Sequence, residues 1–86
     1  MKQLSVAARA AIENNARQVL NAELALESLY DHRFVLGEGF TDEDTMRAAD
    51  RYTALIDGLT FLCTRDEESA QHFMQHKRML RFETEL

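Results

Sequence analysis

No proline occurs anywhere in the 86 residues, and the only glycines are Gly37, Gly39 and Gly58. Proline removes a backbone donor and glycine loosens the chain, so these two residues do most to interrupt a helix. A chain with so few interruptions is free to form long helices, with one natural break at the glycine pair. Its length allows a single domain spanning residues 1–86, because a second hydrophobic core would need roughly 50 residues of its own.

The hydrophobic spacing supports this reading. Ala8, Ile12, Asn15, Val19, Ala22, Leu26 and Leu29 follow one another in steps of three and four, which places them on one stripe of a helix. Leu20 and Leu24 widen that stripe, while Glu13, Arg17, Glu23 and Glu27 fall largely outside it. Ser5 is suited to cap the start, and the helix is expected to run to about His32. Asn15 interrupts the seam beside Asn14, and the favoured reading is a bend or break there with Asn15 solvated. The alternative is a polar residue that sets register in a packed seam.

Phe34-Val35-Leu36-Gly37-Glu38-Gly39-Phe40 reads as a reversing loop whose apolar members, Phe34, Val35, Leu36 and Phe40, cap the core or touch a partner. Thr41 with Asp44 three residues later reads as the cap of a second helix, with Asp42 and Glu43 favourable at its positive N-terminal end. Met46, Ala49, Tyr52, Ile56, Leu59 and Cys63 form its stripe, broadened by Leu55 and Leu62. Thr64 and Glu67 suggest a further capping box, opening a third helix to about Phe82 with Ala70, Phe73, Met74 and Leu80 on its buried side. The expected fold is therefore all-α: an antiparallel helical hairpin plus a third helix, a three-helix bundle. Helices of these lengths would span roughly 40, 33 and 24 Å, against a radius of gyration near about 12 Å for a compact chain of this size. The first helix should overhang a monomer, and a homodimer is the favoured way to cover it.

Composition narrows the function. The formal charge is -5, and residues 35–66 hold seven acidic against three basic side chains, which disfavours general binding to nucleic-acid phosphates. No run approaches the ~20 apolar residues of a membrane-spanning helix, and the N-terminus lacks a signal-like apolar stretch, so the expected location is the cytoplasm. Cys63 is the only cysteine. Flanked by Leu59, Phe61 and Leu62, it reads as a core residue.

Possible chemistry is thin. Glu68, His72 and His76 recur every fourth residue, so they share a helix face that could offer a carboxylate and two imidazoles to zinc or a similar cation. The general-base glutamate of a zinc-protease motif and a fourth ligand are both missing. Asp31 and His32 are neighbours in sequence, which on a helix gives no pairing geometry, and Glu38 to Asp44 lacks the ligand alternation of a calcium loop. No catalytic residues and no cofactor are expected. The turn before the third helix is short enough to suggest helix-turn-helix, although Asp66, Glu67 and Glu68 would repel DNA at the start of the recognition helix. The leading expectation is a non-enzymatic adaptor, regulator or inhibitor that binds another protein through helix faces. In a sharper version, Asp42, Glu43, Asp50 and Asp57, with Phe34, Leu36 and Phe40 nearby, engage a basic nucleic-acid-binding surface on a target, as small phage- or plasmid-encoded inhibitors do. DNA binding and metal binding are the alternatives.

Overall fold

The computed structural model describes residues 3–36 and 43–85, without the side chains of residues 32–36 and 85. Three helices account for nearly all of it: α1 (Val6–Leu36), α2 (Glu43–Cys63) and α3 (Glu67–Glu85), with no strand among the described residues. α1 begins where expected, since Ser5 Oγ accepts a hydrogen bond from the Ala8 amide at 3.0 Å. It then runs further than the spacing suggested. Phe34, Val35 and Leu36 belong to its backbone rather than to a loop. None of the three disfavours helix strongly enough to end it, and the first glycine comes only at residue 37. The expected Thr41 cap lies outside the described residues.

α1 is unbroken through Asn14 and Asn15, so the expected bend is corrected. Asn15 is half-buried, and its side-chain amide donates to Cys63 Sγ at 3.5 Å. The packed α1–α2 contact supplies this amide with a partner, which removes the reason for the helix to yield there. The start of α3 also differs from the sequence reading. Thr64 Oγ1 donates back to the Thr60 carbonyl at 2.7 Å, while Asp66 takes the capping role by accepting from the Ser69 amide at 2.9 Å and the Ser69 hydroxyl at 3.0 Å. Those two bonds, the amide's first, hold the Asp66 pKa below the ordinary aspartate value. Asp66 immediately precedes the helix, whereas Thr64 sits two residues too early to reach its free amides.

The helices are arranged around α1. Both α2 and α3 pack along it, but they barely touch each other. α1 and α2 run antiparallel, with Asn15 against Cys63 at one end and Leu26 beside Ile56 further along. α1 and α3 run parallel, since Glu23 meets Lys77 and Glu27 meets Arg81 at the same sequence offset of 54. The core lies at the end near the α2–α3 turn, where Ile12, Ala16, Val19, Cys63 and Phe73 pack together with support from Leu4, Ile56 and Leu59. Val19 and Phe73 are fully enclosed.

This arrangement makes a splayed molecule. The radius of gyration is 15.3 Å, with extents of 51 × 28 × 17 Å, an elongated shape set by the length of α1. Because α3 does not cover the flank of α2, Leu55 and Leu62 do not broaden a buried stripe; they stand 41% and 56% exposed. Met46 and Met74, expected to be buried, are also exposed. Among the described residues no helix is long and apolar enough to cross a membrane.

Candidate interaction surface

Where α1 and α3 meet, their polar side chains form a ladder. Glu13 of α1 lies between the two histidines of α3, 3.7 Å from His72 Nε2 and 3.6 Å from His76 Nδ1. One stage along, Glu23 reaches Lys77 at 3.3 Å and Arg81 at 3.9 Å, and Arg81 also meets Glu27 at 3.2 Å. The Lys77 ammonium lies 5.6 Å from the centre of the Phe73 ring, which joins this ladder to the core. Sequence reading placed Glu13 and Glu23 outside the buried stripe. In fact α3 covers that side of α1 and leaves both only half-exposed.

This ladder also determines what the Glu68, His72 and His76 series does. The two imidazoles, with ring centroids 6.1 Å apart, both turn to Glu13. Glu68 instead lines a shallow basin with Gln3, Leu4, Arg9 and His72. Among the described residues no group of three or more His, Cys, Asp or Glu side chains is placed to hold a metal ion. Cys63 is 3% exposed and sits in the core, the setting of a packing residue rather than a nucleophile.

α2 presents two distinct outward stripes. Glu43, Asp50 and Asp57 are seven residues apart, close to two helical turns, so they line up along one edge, and all three are exposed. Asp57 shares a groove with Glu23, Leu26, Glu27, Thr53 and Ile56. Of the other anticipated contact residues, Asp42 and Phe40 lie outside the described residues. Phe34 and Leu36 have helical backbones in α1, but their side chains lie outside the description.

The second stripe was missed by sequence reasoning. Arg47, Arg51, Leu55, Gly58 and Leu62 succeed one another in steps of three or four, with Phe61 alongside. Leu55, Phe61 and Leu62 are 41%, 68% and 56% exposed. Gly58 lies among them in the helix interior, and a Cβ added there would meet nothing within 4 Å. Arg47 turns to the first turn of its own helix, 3.1 Å from Glu43 and 4.0 Å from Asp44, and Arg65 follows just beyond the helix end. Asp44, seven residues before Arg51, stands at the head of this stripe, which holds no carboxylate from Arg51 to Leu62. Gly58 was the available signal: a glycine inside a helix needs a reason, and nothing among the described residues packs against it. No protein family model, no curated protein and no solved structure matches the chain.

Proposed function

We propose that this protein is a non-enzymatic interaction module that binds another protein through the outward side of α2. The observation that carries this reading is the exposed apolar group Leu55, Phe61 and Leu62 around the open position of Gly58. Apolar side chains exposed singly need no explanation, but a contiguous group on one helix side is what a docking partner covers. Helix-on-helix docking uses apolar anchors at such spacings, with small residues where the backbones come close. The test is an affinity purification that compares the wild type with a Leu55→Asp/Leu62→Asp variant of unchanged helicity. The reading expects one stoichiometric protein with the wild type and none with the variant; equal recovery refutes it.

A second reading rests on the other stripe. Glu43, Asp50 and Asp57 form an exposed row of negative charge suited to a basic surface, such as the nucleic-acid-binding face of a target. Charge-reversed residues on this row would abolish such binding while leaving docking through Leu55 and Leu62 intact.

A further inference from the structure

We draw no further inference here: the strongest candidate, the exposed apolar stripe of Leu55, Gly58 and Leu62 on α2, belongs to the docking surface already proposed, and nothing in the structure shows what covers it.

Discussion

Replacing Phe73 with alanine is the most demanding test of the fold, because this ring is fully enclosed where all three helices converge. Burial of such a side chain contributes about 1.5–3 kcal/mol by transfer alone. An unrelaxed void of about 100 Å³ would add about 2.4 kcal/mol at about 24 cal/mol per Å³, bringing the loss to about 4–5 kcal/mol. A domain of this length has about 4–13 kcal/mol in total, so the variant loses a third or more of its stability. At about 4–8 °C per kcal/mol, Phe73→Ala should melt at least about 16 °C below the wild type, read by circular dichroism at the helix minimum. Phe82, 65% exposed on the same helix, is the internal control, and its alanine variant should stay within about 0.5 kcal/mol. A Phe73→Ala loss below about 1 kcal/mol, or one equal to that of Phe82→Ala, would refute the placement of the core.

Gly58→Ala should raise stability by about 0.5–1 kcal/mol in thermal or urea unfolding, because the added Cβ meets nothing within 4 Å among the described residues. Glu23→Ala should cost about 1–2 kcal/mol, between the ranges for exposed and buried pairs, since the Glu23 and Lys77 side chains are only 25% and 20% exposed; Arg81→Ala/Glu27→Ala double-mutant cycles should give less than about 1 kcal/mol. Asp66→Asn should keep much of the α3 cap but flatten the acid limb of the stability profile. The Asp66 pKa is lowered in the folded state, so its contribution is fully present above the unfolded value and is lost as pH falls through the lower folded one. Chemical denaturation of wild type and variant across pH 2–6 reads this directly, on a window set by the ordinary aspartate pKa of about 3.9.

Periodicity read the helices themselves well, because it records which side of each helix is apolar. The α1 seam contains the buried Ile12, Val19 and Ala22, and the same rule placed Ala49 and Cys63 inward on α2. It could not say how many neighbours each helix has. Ala16, outside the seam as read, is buried because α3 packs on a second side of α1 and sets Phe73 in the same core, which also draws in Glu13 and Glu23. Conversely, Leu55, Leu62 and Met74 stay outside because α2 and α3 scarcely meet. Local chemistry misled at Thr64, where a motif with the right letters lay out of phase with the helix start, and at Asn15, whose partner is 48 residues away. The acidic row of α2 was legible from its spacing of seven. The apolar stripe around Gly58 was not, since exposure depends on tertiary arrangement.

Backbone amide shift mapping on the isotope-labelled protein, with the protein recovered by affinity purification added in steps, tests docking through α2 at residue level. The largest saturable changes are expected at Arg51, Leu55, Gly58 and Leu62, with small changes at Glu43 and Asp50. Changes centred on that acidic row or on the outer side of α3, with Gly58 unmoved, would contradict it.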